Sequence, residues 1–238
     1  MLIACSVIHR ECYHCASLSR NVIDIHLCEK GLHDIGAGKM CARLQGEIDA
    51  VDASKYDAIL LGYGLCNNGT LGLRASIPIV VPRAHDCITM LLGSKERYRA
   101  YFDSHPGTYY LSSGWIEHGT SSCENESATT TAMGVRSYEE YVEQYGEETA
   151  QYLMETLGQM RHYTTLAYID TQVGDFPAYK EHARKRAEEA GWVYDELTGD
   201  TGLILRMMNG EWDEASFVVI QPGSAAAASF DESIFRTS

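Results

Sequence analysis

The feature that most constrains the fold is a series of short apolar segments rich in β-branched residues and bounded by glycine, proline or aspartate. Runs of about four to eight such residues are typical of strands that are buried on both faces. The predicted strands are residues 2–8, 58–62, 77–81, 109–111, 165–169, 193–197 and 217–220. Helical patterns lie between them, at residues 39–51, 87–92, 137–160, 178–190 and 202–209. Strands that alternate with helices predict an α/β fold with parallel sheets.

The order of these elements predicts two Rossmann-like halves with mainly parallel sheets and a cleft between them. Residues 1–115 form the predicted N-terminal half and residues 137–238 the C-terminal half, because each runs strand, helix, strand, helix, strand. Residues 116–136 are interpreted as an exposed loop, with a lid as the alternative. A cleft between two α/β halves is a common ligand site, so a small-molecule substrate or cofactor is expected there.

Charge and composition limit the classes of partner. The formal net charge is -14, and an acidic surface repels nucleic acid. The chain has no apolar run near the length of about 20 residues that spans a bilayer, so no membrane partner is expected. It has eight cysteines and no pattern of a signal peptide, which favours free thiols in the cytoplasm over disulfides. The oligomeric state stays open.

The strand at 58–62 leads into a glycine-rich loop with the sequence Gly-Tyr-Gly-Leu-Cys-Asn-Asn-Gly-Thr, residues 62–70. In an open α/β sheet, ligands bind at the carboxyl ends of the strands, and glycine lets the backbone approach a ligand closely. We therefore predict that Gly62, Gly64, Asn68 and Gly69 contact a cofactor or substrate. The loop matches neither a Walker A loop nor a dinucleotide fingerprint, so no nucleotide is predicted.

Thiols and an imidazole follow the ends of neighbouring predicted strands. Cys66 lies in the glycine-rich loop, and His85 and Cys87 follow the next strand. If the two strands are adjacent, these side chains converge on a set of ligands suited to zinc or to a soft iron site. Cys5, near the end of the first strand, is either a fourth ligand or a buried core thiol. A metal site at Cys66, His85, Cys87 and Cys5 is the prediction.

Other candidate residues have a structural interpretation beside the functional one. Asp86 is interpreted as the N-cap of the helix at 87–92, with an outer-sphere role at the metal as the alternative. Cys12 and Cys15 form a C-x-x-C pair, and the chain has no second such pair of the kind that completes a structural zinc site. Cys28, His26, His33 and Cys41 lie downstream and could complete a zinc site instead, and a redox dithiol is a further interpretation. His33 is interpreted as an exposed loop histidine, and the alternative is that it reaches the predicted metal site from its loop.

Several longer motifs run through the chain and carry a resemblance to a known family. They are Gly62-Tyr63-Gly64-Leu65-Cys66, Arg83-Ala84-His85-Asp86-Cys87-Ile88, Pro106-Gly107-Thr108-Tyr109-Tyr110-Leu111, Gly114-Trp115, Tyr168-Ile169-Asp170-Thr171, Gly191-Trp192 and Gly210-Glu211-Trp212. With these motifs the chain resembles, over nearly its whole length, the family catalogued as domain of unknown function 1638. The resemblance implies no settled activity. It implies a setting in anaerobic archaea and bacteria, often beside corrinoid-dependent methyltransferase systems, and its pattern includes Cys66, His85 and Cys87 but not the pair Cys12 and Cys15.

The leading hypothesis is a zinc-binding protein of anaerobic one-carbon metabolism, acting as an enzyme or component of corrinoid-linked methyl transfer. Zinc holds a thiol as its thiolate, which suits methyl transfer. One alternative is an accessory protein that binds a corrinoid, another tetrapyrrole or a corrinoid protein, although the chain lacks an Asp-x-His-x-x-Gly corrinoid motif. Another is an iron–sulfur protein. A racemase without cofactor, using two thiols as acid and base, ranks last because Cys66 and Cys87 would share one side of the site.

Overall fold

The structure of the protein is a computed structural model. It describes residues 1–32, 35–119, 163–229 and 234–237, together with Glu147 and Gln151. The predicted helix at 137–160, apart from those two positions, His33 and most of the segment 116–136 lie outside the described residues.

The larger sheet contains five strands, and the first strand of the chain lies inside it. In spatial order the strands are β2 (Ile25–Cys28), β1 (Leu2–Cys5), β3 (Ile59–Gly62), β4 (Ile79–Pro82) and β8 (Phe217–Ile220). The first four are parallel, whereas β8 pairs with β4 in the antiparallel direction. Because β2 and β3 flank β1 on opposite sides, the chain reverses its direction of travel across the sheet at β1.

The second sheet has three parallel strands in the order of the chain: β5 (Thr108–Ser112), β6 (Thr165–Asp170) and β7 (Val193–Thr198). A separate pair, β9 (Ala226–Ala228) and β10 (Phe235–Thr237), is antiparallel. The predicted fold class is confirmed, since the protein is mixed α/β with mostly parallel sheets. The cleft stays a prediction.

The two sheets do not divide the chain into successive halves. Strand β5 precedes residue 115 but pairs with β6, and β8 follows the second sheet in sequence but joins β4 of the first. The interpretation of β8 as a parallel strand was wrong. A fully buried apolar strand has the same sequence pattern whether it pairs in the parallel or the antiparallel direction. The domain boundaries at 115 and 137 stay a prediction.

Helices cover both faces of the larger sheet and one side of the smaller. The described helices are α1 (His9–Leu18), α2 (Ala37–Asp49), α3 (Cys87–Leu92), α4 (Lys95–Ser104), α5 (Ser113–Glu117), α6 (Pro177–Ala190) and α7 (Gly202–Asn209). The bounds of α3, α7 and β8 match their predictions. The first predicted strand was too long, because the chain turns in a 3-10 helix at Ser6–Ile8 and continues as α1.

Side chains of the central strands alternate between two buried layers, as expected for a sheet covered on both faces. Leu2 packs in a cluster with residues of α1 and α7, whereas the adjacent Ile3 packs in a second cluster with Met40 and Leu44 of α2. All four side chains are almost fully buried. The carboxyl edge of the sheet is therefore left as the place where loops and side chains can form a site.

Candidate functional site

The thiols lie at the topological switch point of the larger sheet. From β1 the chain passes to β2 on one side, and from β3 it passes to β4 on the other. The loops leave a crevice at such a point, and ligands in open α/β sheets bind there. Cys5 ends β1, Cys66 lies in the loop after β3, and Cys87 begins α3 after β4. The expected adjacency of β3 and β4 is confirmed by the pairing of their backbones.

The structure brings these three thiols into one electrostatic environment. Burial is the main cause that raises the pKa of Cys66, and the charges of Asp86 and Cys5 raise it further. Burial also raises the pKa of Cys87 well above its ordinary value, with contributions from Asp86, Cys5 and Cys66 and an opposing hydrogen bond from Trp115. Without a bound cation, the two side chains are therefore neutral thiols near pH 7.

Backbone hydrogen bonds tie the Cys66 loop to the segment that precedes Cys87. The Leu65 N–H donates to the Ala84 carbonyl oxygen at 2.8 Å, and the Cys66 N–H donates to the His85 carbonyl oxygen at 2.9 Å. The buried Thr70 hydroxyl donates to a carbonyl oxygen of the same loop at 3.0 Å. These bonds extend the contact between β3 and β4 beyond the sheet and hold the loop of Cys66 beside the loop of Cys87.

The tip of this loop has a backbone conformation that side chains rarely adopt. Cys66, Asn67 and Asn68 have φ angles of 45°, 56° and 65° in succession. The left-handed region costs an ordinary residue about 1–2 kcal/mol, and asparagine tolerates it better than cysteine. Strained backbone of this kind clusters at functional sites, where the surrounding structure holds it.

The glycines of the loop are packed against protein. A Cβ at Gly62 would lie 2.5 Å from the Ala4 Cβ, and one at Gly64 would lie 2.7 Å from the Ala84 carbonyl oxygen. At Gly69 a methionine side chain of α2 occupies the corresponding space. Close packing accounts for glycine at these positions, and contact with a cofactor stays a prediction, as it does for the exposed Asn68.

His85 is exposed and lines a cavity of about 720 Å³ beside α4. The other walls include Lys95, Tyr98, Arg99 and Phe102. The cavity is therefore lined by an imidazole, two basic side chains and two aromatic rings, next to the loop that carries Cys87. Coordination of a metal by His85 stays a prediction.

Asp86 has the structural role that the sequence suggested. One carboxylate oxygen accepts the N–H groups of Ile88 and Thr89, at 3.0 and 3.4 Å, and so caps α3. The other accepts the Tyr98 hydroxyl at 3.2 Å. Burial raises the pKa of Asp86 although these hydrogen bonds lower it, so the carboxyl group stands in a poorly solvated position beside the thiols.

Cys12 and Cys15 lie in the interior between α1 and α7. Both side chains are fully buried, and the Cys15 thiol donates to the Thr201 carbonyl oxygen at 3.5 Å. Burial raises the pKa of Cys15 to about 11 and that of Cys12 well above its ordinary value. Buried thiols in such surroundings are small core residues of low reactivity, which is the simpler interpretation of this pair.

In the part of the chain that the structure describes, no group of three or more His, Cys, Asp or Glu side chains is arranged to hold a metal ion. The three thiols are therefore neighbours without a preformed coordination cage. The predicted ligand set of Cys5, Cys66, His85 and Cys87 stays a prediction, and a metal would require their side chains to turn toward a common point.

A second polar cluster joins the two sheets, and sequence analysis did not single it out. The His9 ring, at the start of α1, contacts Glu117 and His118 at the end of α5. The signal in the sequence was position, because His9 follows the first strand and the pair Glu117-His118 follows the strand at 109–111. Both groups thus lie past carboxyl ends of strands, where ligand-binding residues concentrate.

A buried carboxyl group makes another link between the sheets. Glu11 of α1 is only 1% exposed, and its Oε1 accepts the hydroxyl of Thr171 at 2.6 Å. Its Oε2 has no hydrogen-bond partner among the described residues. Burial raises the pKa of Glu11, and the hydrogen bond from Thr171 opposes that effect.

Taken together, these features define an α/β protein with a thiol-bearing switch point and a polar junction between its two sheets. The chain belongs to the family described as "Protein of unknown function (DUF1638)", whose profile matches residues 27–208. No curated protein and no solved structure is similar enough to the chain to match it. Of the helices in the described residues, none has the length and apolar character needed to cross a membrane.

Proposed function

We propose that the protein binds a soft or borderline metal ion, with zinc as the first candidate, through Cys5, Cys66 and Cys87. The observation that carries the proposal is the proximity of three thiols at the switch point, the place where ligands bind in open α/β sheets. Thiolate sulfur is the ligand that zinc and other borderline or soft ions prefer. His85 is the nearest imidazole in sequence and would need to turn away from its cavity to take part.

The chemistry of the donors fits a metal better than it fits free-thiol catalysis. Burial holds Cys66 and Cys87 as neutral thiols, so neither is poised as a base in the absence of a cation. The carboxyl group of Asp86 lies beside both and adds negative potential that favours a bound cation. A metal would supply the positive charge that keeps a thiol ionised. This argument supports metal binding over the two-cysteine racemase.

The proposed role of the site is methyl transfer in one-carbon metabolism, as an enzyme or as a component that acts with a corrinoid protein. The support is the chemistry of a metal-bound thiolate together with the setting that the family resemblance implies. The cavity beside α4 offers space for a small substrate next to the Cys87 loop, and its volume lies in the range of ordinary ligand pockets.

Anaerobic purification followed by elemental analysis and a visible spectrum tests the proposal. We expect zinc in the wild type, and loss of that zinc in Cys66→Ser and in Cys87→Ser. Cys41→Ser is the matched control, because Cys41 is also a partly exposed thiol but lies on α2 and donates to the Leu71 carbonyl oxygen.

Each outcome of the test is informative. A brown preparation that contains iron and sulfide would indicate an iron–sulfur cluster instead of zinc. A corrinoid spectrum would favour the accessory role. Metal content that is unchanged in Cys66→Ser and Cys87→Ser, or a wild type that takes up no metal when zinc is supplied, would refute the thiol site.

A further inference from the structure

Two imidazoles and a backbone carbonyl meet where α5 packs on the first turn of the chain after β1. The distance between His9 Nδ1 and His118 Nε2 is 3.2 Å, and the distance between His9 Nδ1 and the Ser6 carbonyl oxygen is 3.0 Å. The two rings are nearly perpendicular, with an angle of 86° between their planes. The close approach of α5 depends on Gly114, since a Cβ there would clash with the Val7 carbonyl oxygen.

The protein holds the far side of the His9 ring with a carboxylate. His9 Nε2 lies 3.2 Å from Glu117 Oε2. Glu117 is itself fixed, because Arg10 Nε donates to its two oxygens at 2.9 and 2.8 Å and the Tyr179 hydroxyl donates to it at 2.9 Å. A carboxylate that accepts the N–H of one ring nitrogen leaves the other nitrogen as a lone pair, which is how proteins orient a histidine that ligates a metal.

In that tautomer a hydrogen bond donated by the His118 Nε2–H explains only one of the two contacts of His9 Nδ1. Its lone pair would face the Ser6 carbonyl oxygen, which can only accept. If Nδ1 carries a proton instead, one N–H must serve both the Ser6 oxygen and His118 Nε2. A cation between the three atoms satisfies all of them at once. The Ser6 hydroxyl is also buried, and it has no hydrogen-bond partner among the described residues.

The distances agree with a coordination sphere. Two ligands that each lie about 2.0–2.1 Å from a tetrahedral zinc are roughly 3.3 Å apart. His9 Nδ1 lies 3.2 Å from His118 Nε2 and 3.0 Å from the Ser6 carbonyl oxygen, and both distances are close to this value. Imidazole nitrogen suits zinc, nickel, copper and iron, whereas a carbonyl oxygen is a weaker ligand.

We propose that His9 Nδ1, His118 Nε2 and the Ser6 carbonyl oxygen form a site for a divalent first-row metal ion, zinc in the first place. Glu117 orients His9 from outside the coordination sphere. Three protein ligands leave a position for water or for an oxygen or nitrogen atom of a ligand, as in catalytic rather than structural zinc sites. The site shares no side chain with the thiols, so it stands or falls independently of the proposed function.

The test uses the full chain, freed of metal with a chelator and then loaded with Co²⁺ and, separately, with Zn²⁺. We expect His9→Gln and His118→Gln each to lose one equivalent of metal, while the cobalt–thiolate charge-transfer band is unchanged. His26→Gln is the matched control, because His26 Nε2 also lies beside a carboxylate, 3.0 Å from Glu47, but has no second imidazole in contact among the described residues. Cys66→Ser should give the converse result, with loss of the thiolate band and retention of the histidine-dependent equivalent.

A milder variant guards against misfolding. Glu117→Gln keeps both imidazoles and should weaken the histidine-dependent binding by about 10–100-fold, the usual effect of losing an outer-sphere partner. X-ray absorption of the zinc-loaded Cys66→Ser variant should show nitrogen and oxygen neighbours. Equal metal content in His118→Gln and the wild type, or zinc surrounded by water oxygen alone in the absorption spectrum, would overturn the proposal.

Discussion

The hydrogen bond from Thr171 to Glu11 gives a quantitative test of how the two sheets are joined. Thr171 follows β6 of the smaller sheet, whereas Glu11 lies on α1, which follows β1 of the larger one. The bond is 2.6 Å long, and the carboxyl group is almost fully buried with only one of its oxygens partnered by described residues. Replacing Thr171 with valine keeps the shape of the side chain and removes the donor.

The expected cost follows from the charge of the acceptor. A hydrogen bond to a charged group contributes about 1.5–3 kcal/mol, and a neutral one about 0.5–1.5 kcal/mol. We expect Thr171→Val to lower the free energy of unfolding by about 2 kcal/mol above the folded pKa of Glu11, where the carboxyl group is ionised, and by about 1 kcal/mol below that pKa, where it is protonated. Urea denaturation at a series of pH values measures both quantities.

The raised pKa of Glu11 fixes the sign of the pH dependence. Because burial raises the pKa of Glu11 in the folded protein, the folded state binds the proton more tightly than the unfolded state. The contribution of this group to stability is therefore present below the unfolded pKa and is lost as the pH rises through the folded pKa. Thr171→Val removes a donor that favours the carboxylate, so it raises the pKa further and makes the loss at high pH larger.

Two variants control the interpretation. Thr198→Val, at the exposed end of β7, should change stability by less than about 0.5 kcal/mol. In a Glu11→Gln background the cost of Thr171→Val should fall to about 1 kcal/mol and become independent of pH. A cost for Thr171→Val that does not change across the titration of Glu11 would show that the two side chains do not interact in solution as the structure describes.

Three further predictions concern the surroundings of the thiols and the second sheet. Gly64→Ala should destabilise the protein by about 1–3 kcal/mol in thermal denaturation, because its methyl group would overlap the backbone of the neighbouring loop. Asp86→Ala should cost about 2–4 kcal/mol by urea denaturation, since it removes both the cap of α3 and the partner of Tyr98, whereas Asp86→Asn, which keeps the capping oxygen, should cost clearly less. Lys180→Met should cost at most about 1 kcal/mol, and less at high salt, because its ion pair with Asp170 is partly exposed.

The location of the thiols could be predicted from the sequence, because the prediction depends only on the order and direction of the strands. Cys66 and Cys87 follow two buried segments that were expected to be neighbouring parallel strands, and parallel strands end at the same edge of a sheet. The N-cap role of Asp86 was equally accessible, since capping depends on residues within one turn of the helix. Local rules and the period of the hydrophobic pattern were sufficient for these features.

Features that depend on contacts between distant segments could not be predicted in this way. The direction and sheet of β8 depend on which edge is free after the other strands have paired, and its apolar sequence carries no information about either. The contact between His9 and His118 joins residues 109 positions apart, and no spacing rule reaches that far. The 3-10 turn that places His9 was hidden because residues 2–8 form one apolar stretch.

A glycine-rich sequence pattern does not show whether glycine is required by a bound ligand or by close packing within the protein, and the loop at 62–70 is an example. Gly64 leaves space that another loop of the same chain occupies, and the effect is to bring the backbone of Cys66 within hydrogen-bonding distance of His85. Tight packing and the proposed thiol site are therefore connected, because the same close approach places the two thiol-bearing loops side by side. A similar logic applies at Gly114, whose contact with Val7 brings His118 to His9. At both places a glycine allows two segments of the backbone to approach closely. That approach, and no direct contact with the glycine, positions the side chains that would bind a ligand.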